Sequence, residues 1–190
     1  MSNIKQNIVR EGGWMQTYSG IKFYPLSPVA EEIELMDIAH ALSNICRFTG
    51  HTREFYSVAQ HSTLVSRLVP KEVAIWALFH DASDAYMSRL PEPLEHLPEF
   101  SFYRFAKDEL QRLIYEKFGL YGIAPRSIEE ADLKALEIEK RDLFKSIGWE
   151  GVLRSEAIIR GQNPILACHS FMVRFNELNG GIKETDYEHF

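Results

Sequence analysis

Cysteine is nearly absent from this chain of 190 residues. Only Cys46 and Cys168 occur, neither with a CxxC partner, which excludes a cysteine-built zinc site and fits a reducing compartment. Long apolar runs are missing as well. No stretch approaches the ~18 residues of a membrane span, and the opening MSNIKQNIVREGG lacks the apolar centre of a signal peptide. A soluble, cytoplasmic protein with no membrane partner is the expectation. Basic charge is not in excess: the net charge is −6, the pI is about 5.7 and the cations are scattered. That excludes the positive stripe of a duplex-binding protein but leaves single nucleotides open as ligands. Internal repeats and low-complexity segments are also lacking. What is present is apolar and aromatic side chain, 45% and 12% of residues, enough over this length for one sizeable core and a single domain spanning 1–190.

The segment WMQTYSGIKFYPLSP, residues 14–28, has two short aromatic-rich halves around Ser19-Gly20 and predicts a small β-hairpin with a two-residue turn. From Glu31 the pattern becomes helical, with Leu35, Ile38, Ala39, Leu42, Ile45 and Cys46 on one face and a stop near Gly50. Further helices are predicted over about 56–69, 71–87 and 100–118, closed by Pro70, a Pro-rich LPEPLEHLP and Gly119. A fifth follows Pro125, with Ser127 and Glu130 spaced as a capping box and Gly148 as its stop, and a last one runs from Pro164 through Leu178. The predicted fold is all-α: a compact helical core over 31–178, a short N-terminal β-hairpin and a loose tail at 179–190.

One stretch carries too much charge for its apolar setting. In ALFHDASDAYMSRLP, residues 77–91, His80 and Asp84 are four apart and Asp81 and Asp84 three apart, so a continuous helix would aim all three into one cavity. Unpaired charge in an interior costs several kcal/mol and calls for an ion pair, a proton or a metal. Two other predicted helices offer matching side chains. His61 is in register with Val58, Val65 and Leu68, and Asp132 lies between Ile128 and Leu136 on an apolar stripe. Two imidazoles and two carboxylates make a mixed N/O donor set for a divalent ion: Zn²⁺, Co²⁺, Mn²⁺ and Fe²⁺ suit it, and Mg²⁺ is a further candidate. Arg47, Arg53 or Arg89 would be the alternative way to neutralise these acids.

This order, a His in one helix, a His-Asp pair in the next and a distant Asp later, resembles that of the HD-domain phosphohydrolases. YSVAQHS, ALFHDASDAY and EADLKALEIEKRDL resemble the small 5'-deoxynucleotidase branch of that superfamily. WMQTYSGIKFYPLSP and DIAHALSNICRFTGHTREFYSVAQHS are similar to phage-type members, among them dATP triphosphohydrolases. The resemblance covers roughly residues 14–145. It implies that His61, His80, Asp81 and Asp132 hold the metal and that His80 and Asp81, with Asp84, form the catalytic group. Asp84 stands where relatives carry a proton-handling acid, usually Glu. Arg47 matches the phosphate-contacting Arg of the family, and the resemblance implies a homo-oligomer in a bacterial or phage-infected cytosol. His51, Thr52 and Arg53 add donors for phosphate, while Phe23, Tyr24 and Trp14 offer rings on which a base could stack. Relatives place a Gly-Asp before the following Pro, whose Asp contacts the sugar hydroxyl; this chain has Ser88 and Arg89 there. A donor-only guanidinium in place of an acceptor-only carboxylate argues against the usual monophosphate recognition and for a triphosphate, although Glu92 and Glu95 lie close enough in sequence to neutralise it.

The expectation is therefore a metal-dependent hydrolysis of a deoxynucleotide, with dATP or another dNTP giving deoxynucleoside and triphosphate. A 5'-deoxynucleotidase acting on dNMPs is the alternative within the same chemistry. A catalytically silent nucleotide-binding module is the alternative outside it. A two-metal oxygenase needs further histidines after the His-Asp pair, and only His96 lies between Asp81 and Asp132.

Overall fold

The computed structural model describes residues 10, 12–145 and 158–180. It is mostly helical with one short antiparallel hairpin, as the residue pattern predicts. Strands β1 (Met15–Gln16) and β2 (Lys22–Phe23) pair Met15 with Phe23 and Gln16 with Lys22. The turn is longer than the two residues expected. Thr17 and Ile21 close it through a 2.9 Å N–H to carbonyl bond, leaving Tyr18, Ser19 and Gly20 in the loop. Gly20 takes φ +84°, the left-handed position that ends a three-residue hairpin loop.

Helix α1 (Leu35–Asn44) starts later than Glu31, because Ala30–Glu32 form a separate 3₁₀ turn and Ile33 is extended. It also ends before Gly50. Ile45 leaves the helix, Cys46 bridges antiparallel to Ser57, and Arg47–Gly50 turn tightly with Phe48 and Thr49 at φ +53° and +54°. Two non-glycine residues in the left-handed region store strain, and such strain collects at functional sites. Helix α2 (Val58–Leu68) opens on a capping box that the sequence reading overlooked: the Ser57 hydroxyl accepts from Gln60 N–H, and the Gln60 side chain accepts from Ser57 N–H.

The helix predicted over 71–87 is not continuous. A 3₁₀ turn (Lys71–Val73) leads into α3 (Ala74–Leu78), which ends at Phe79, and a second 3₁₀ turn follows at Ala82–Ala85. After it come α4 (Glu92–Glu95), α5 (Ser101–Lys117), α6 (Ser127–Leu143) and α7 (Pro164–Leu178). The expected Ser127 cap is absent: Arg126 precedes the helix, Ser127 is its first residue, and no side chain caps it. At its other end α6 stops at Leu143, where Arg53 donates from its backbone N–H to the Leu143 carbonyl and from its guanidinium to the Asp142 carbonyl. Gly148, the expected stop, and residues 181–190 of the tail lie outside the described residues. Asn163 caps α7 through Leu166 N–H, ahead of Pro164 as predicted.

Packing gathers these pieces around α2, which lies against α1, α3, α6 and α7. The main core contains Phe23, Ile38, Leu42, Leu78, Phe79, Leu110, Ile114 and Phe171, while Val65, Ala77, Ile128, Ala131 and Ala135 form a smaller cluster under α6. Among the described residues no helix is long and apolar enough to cross a membrane.

Candidate metal centre

His61 is wholly buried, held inward by the capped first turn of α2. Its ring is gripped from behind by Glu139 of α6, itself wholly buried, whose Oε1 lies 2.7 Å from His61 Nδ1. A carboxylate accepts only, so Nδ1 carries the hydrogen and Nε2 faces forward. The other Glu139 oxygen takes a 3.0 Å hydrogen bond from Arg47 Nη2. Tyr56 lies alongside, and burial together with the Glu139 charge pushes its phenol pKa up.

His80 and Asp81 reach the same point because the chain breaks there. In a continuous helix Ser83 N–H would bond to the Phe79 carbonyl. Instead Gln111 of α5 inserts its amide between them, donating to Phe79 O at 2.6 Å and accepting from Ser83 N–H at 2.9 Å. Phe79 anchors the break in an aromatic cluster, stacked on Phe118 at 4.4 Å with Phe171 and Phe175 edge-on. His80 Nδ1 then bonds to the Ala77 carbonyl at 2.8 Å, which fixes the hydrogen on that nitrogen and again aims Nε2 forward.

The two Nε2 atoms stand 3.2 Å apart. Asp81 Oδ2 lies 3.5 Å from His80 Nε2 and 3.6 Å from His61 Nε2, and the three ligand atoms fall within 4.8 Å of one another. Two donors each about 2.0–2.2 Å from one ion sit roughly 2.8–3.6 Å apart at octahedral to tetrahedral angles. The observed spacings fall within that range. Asp81 Oδ2 is buried and has no hydrogen-bond donor, although His61, His80, Arg47 and Arg89 all stand 3.5–3.7 Å from it. An orphaned carboxylate oxygen beside two imidazole Nε2 atoms whose rings are fixed from behind at Nδ1 fits a cation, and His61, His80 and Asp81 could hold one. Asp132 Oδ1 approaches from α6, 3.0 Å from His61 Nε2.

Electrostatics sort these groups by sign. Burial opposes ionisation of Asp81, but His80, His61, Arg89 and Arg47 outweigh it and hold its pKa far below the usual range. Burial also works against Asp132 and Glu139, and the nearby His61 keeps both low. For His61, burial and Arg47 are outweighed by Glu139 and Asp132, so its pKa is raised; for His80, burial prevails and lowers it. Asp84 does not join the group of His61, His80 and Asp81. Its side chain is buried and ion-paired with Lys107 of α5, and burial, reinforced by the Asp81 charge, pushes its pKa up to about 6.

Of the other sequence candidates, Arg47 and Arg89 converge on Asp81, and Arg89 Nε also lies 3.5 Å from Glu95. Arg53 is spent on the end of α6, His51 is exposed, and Thr52 bonds locally to the Glu54 carbonyl at 2.6 Å. Phe23 offers no face to a ligand: it is wholly buried and stacked on Tyr86 at 4.1 Å, so its role is in the core. Tyr24 carries the Arg10 guanidinium 4.4 Å from its ring centre, and Trp14 carries the Lys22 ammonium at 4.7 Å. Two residues of the centre escaped the sequence reading although each had a signal. Glu139 follows Asp132 by seven residues, two turns on along the same face, and Lys107 shares the inward register of Leu110, Gln111 and Ile114.

No family model matches the chain. It is 41% identical over 175 residues to the uncharacterized protein YfdR of Escherichia coli (strain K12), a match covering 87% of this chain and 96% of that protein. It is also 27% identical over 162 residues to an uncharacterized protein of Rhodobacter capsulatus, covering 80% of this chain and 82% of that relative.

Proposed function

We propose that this chain, which belongs to the family of Escherichia coli YfdR, is a metal-dependent phosphohydrolase of deoxynucleotides, acting on dATP or another dNTP. The observation that carries this reading is the orphaned Asp81 Oδ2 facing two imidazoles whose Nδ1 atoms are already engaged. His61, His80 and Asp81 would hold the ion, with Asp132 as a fourth ligand, and Zn²⁺, Co²⁺, Mn²⁺ or Mg²⁺ are the candidates. Bound there, a divalent ion supplies Lewis acidity toward a phosphoryl oxygen and acidifies a water.

The chain's own residues supply the rest. Arg47 and Arg89 border Asp81 and give cationic contacts for phosphate oxygens, Arg89 at the more exposed edge. In hydrolysis of a dNTP, the water oxygen bonds to the α-phosphorus, the bond from phosphorus to O5' breaks, and O5' leaves with the electron pair and takes up a proton. Asp84, buried and with a pKa raised to about 6, is poised to accept the water's proton and return it to O5' near neutral pH. Lys107 anchors it. One observation favours the 5'-deoxynucleotidase reading instead: Glu95 takes part of the charge of Arg89, which weakens the case for a polyphosphate contact.

Product analysis by ion-pair chromatography separates these readings, using metal-replete protein with dATP, the other dNTPs, ATP and the matching monophosphates. Deoxynucleoside plus intact triphosphate supports the first, and phosphate from monophosphates alone supports the second. No turnover with metal bound points to a silent module. Asp81→Ala is expected to abolish both metal binding and hydrolysis, and activity retained by a metal-depleted Asp81→Ala protein would end the metal hypothesis.

A further inference from the structure

Two arginines face the orphaned Asp81 Oδ2, and they differ in what else holds them. Arg47 Nη1 lies 3.7 Å from that oxygen, with 10% of the side chain exposed. Its Nη2 donates a 3.0 Å hydrogen bond to buried Glu139, and its guanidinium sits 5.0 Å from the Phe48 ring centre. Arg47 is thus fixed in place. Arg89 Nη1 lies 3.6 Å from the same oxygen and its Nε lies 3.5 Å from Glu95 Oε2, with 41% of the side chain exposed. Both distances exceed the ~2.7–3.2 Å of an N–H to oxygen hydrogen bond, so charge holds this guanidinium and no fixed bond geometry does.

The backbone around Arg89 is tied down separately. The Ser88 carbonyl accepts from the Tyr103 hydroxyl, and Arg104 of α5 donates to the carbonyls of Glu95 and Leu97. The segment keeps Arg89 and Glu95 together against α5, and the arginine side chain can swing without it. Burial works against the Arg89 charge, and Asp81, Asp84, Glu95 and Asp132 outweigh that, which makes the guanidinium a shared counter-ion for the acids at this edge. Asp81 Oδ2 would stand about 2.0–2.2 Å from a divalent ion held with His61 and His80. Two further positive charges then lie a few ångströms from the guanidinium and repel it.

We propose that Arg89 and the divalent ion exchange at Asp81 Oδ2, with Glu95 as the second anchor that receives the guanidinium when the ion binds. This rests on the metal reading above and not on the choice of substrate. Ion binding thereby releases Arg89 from Asp81 at the exposed edge of the centre, where an anionic substrate arrives.

The test is a double-substitution cycle on the full chain, read as Zn²⁺ affinity by chelator competition with melting temperatures checked. Arg89→Met is expected to bind Zn²⁺ roughly tenfold more tightly than the unsubstituted protein, the scale of repulsion between a single and a double charge a few ångströms apart with water screening. Glu95→Gln is expected to bind about threefold more weakly, because the guanidinium then rests wholly on Asp81. In the Arg89→Met background, Glu95→Gln is expected to leave the affinity unchanged, since Glu95 acts through Arg89. An anion that acts on the ion by its field alone weakens binding by the same factor in both backgrounds, and equal factors overturn the exchange. Unchanged or weaker binding by Arg89→Met also overturns it and leaves the metal centre intact. Arg89→Gln takes the place of Arg89→Met if that variant fails to fold. No stoichiometric Zn²⁺ on the unsubstituted protein removes the metal reading and the exchange with it.

Discussion

Replacing Glu139 by Gln takes one charge and almost no volume from the innermost part of the metal centre. The native carboxylate works on two sides, with Oε1 2.7 Å from His61 Nδ1 and Oε2 3.0 Å from Arg47 Nη2. A Gln amide can serve only one of them. With its oxygen toward His61, its NH₂ meets the Arg47 donors head-on. With its oxygen toward Arg47, its NH₂ faces Nδ1, which must then give up its hydrogen, and the proton moves to the Nε2 that faces Asp81. The first sets two buried donors against each other and loosens the grip on the ring, and the second takes the lone pair away from Nε2. Carboxylates that orient a metal-binding His are typically worth 10–100-fold in metal affinity, or about 1.4–2.8 kcal/mol. Glu139→Gln is expected to weaken Zn²⁺ or Co²⁺ binding by that factor, measured by competition with a chromophoric chelator. Circular dichroism beside it shows that the helices persist. An affinity within twofold of the unsubstituted protein would refute the orienting role and return Glu139 to being a buried partner of Arg47.

Asp84 gives a pH prediction with a definite sign. As a proton acceptor it works when ionised, so kcat/KM should rise with pH through about 6, and Lys107→Met, which removes a cation that lowers the Asp84 pKa, should move that limb to higher pH. A limb left in place would refute the pairing. Because the folded pKa lies above the ~3.9 of an unfolded Asp, the native state binds the extra proton between those values. In metal-free protein that contribution, at most roughly 3 kcal/mol, is present below about pH 4 and lost as pH rises through about 6. Urea unfolding across that range reads the slope, and Asp84→Asn should flatten it. Gln111→Leu removes the amide that holds the chain open between Phe79 and Ser83. It should cost at least tenfold in metal affinity, and unchanged affinity would mean that the break persists without it. Phe23→Ala should lower stability by about 3–5 kcal/mol and the melting temperature by roughly 6–20 °C, while a loss of nucleotide binding without a stability change would restore the ring to the ligand.

Much of the fold was legible because long amphipathic segments state their own burial. The boundaries of α5 and α7 follow from apolar spacing and from Gly119 and Pro164. The start of α1 and the stop of α6 were not legible, because tertiary contacts set them: Ile33 is drawn into the core as an extended residue, and Arg53, ninety positions from Leu143, closes α6. Local propensity cannot carry information about a partner so far along the chain.

The centre illustrates the same limit in a sharper form. Reading His80, Asp81 and Asp84 as one face of a continuous helix predicts that they share a cavity, yet the structure divides them. Asp81 faces two imidazoles while Asp84 pairs with Lys107. The division follows from the break at Phe79, and the break depends on Gln111, an amide that looks like any polar residue on an amphipathic helix until its two partners are known. The sequence pattern thus identified which residues are costly to bury but not how the backbone would distribute them. That distribution gives the two carboxylates different environments. A carboxylate ringed by cations stays ionised and can bind a metal, and a second carboxylate, four positions after His80 but buried beside the first one's charge, keeps a pKa near 6. On an unbroken helix the two acids would share one environment, and nothing would drive their proton affinities apart.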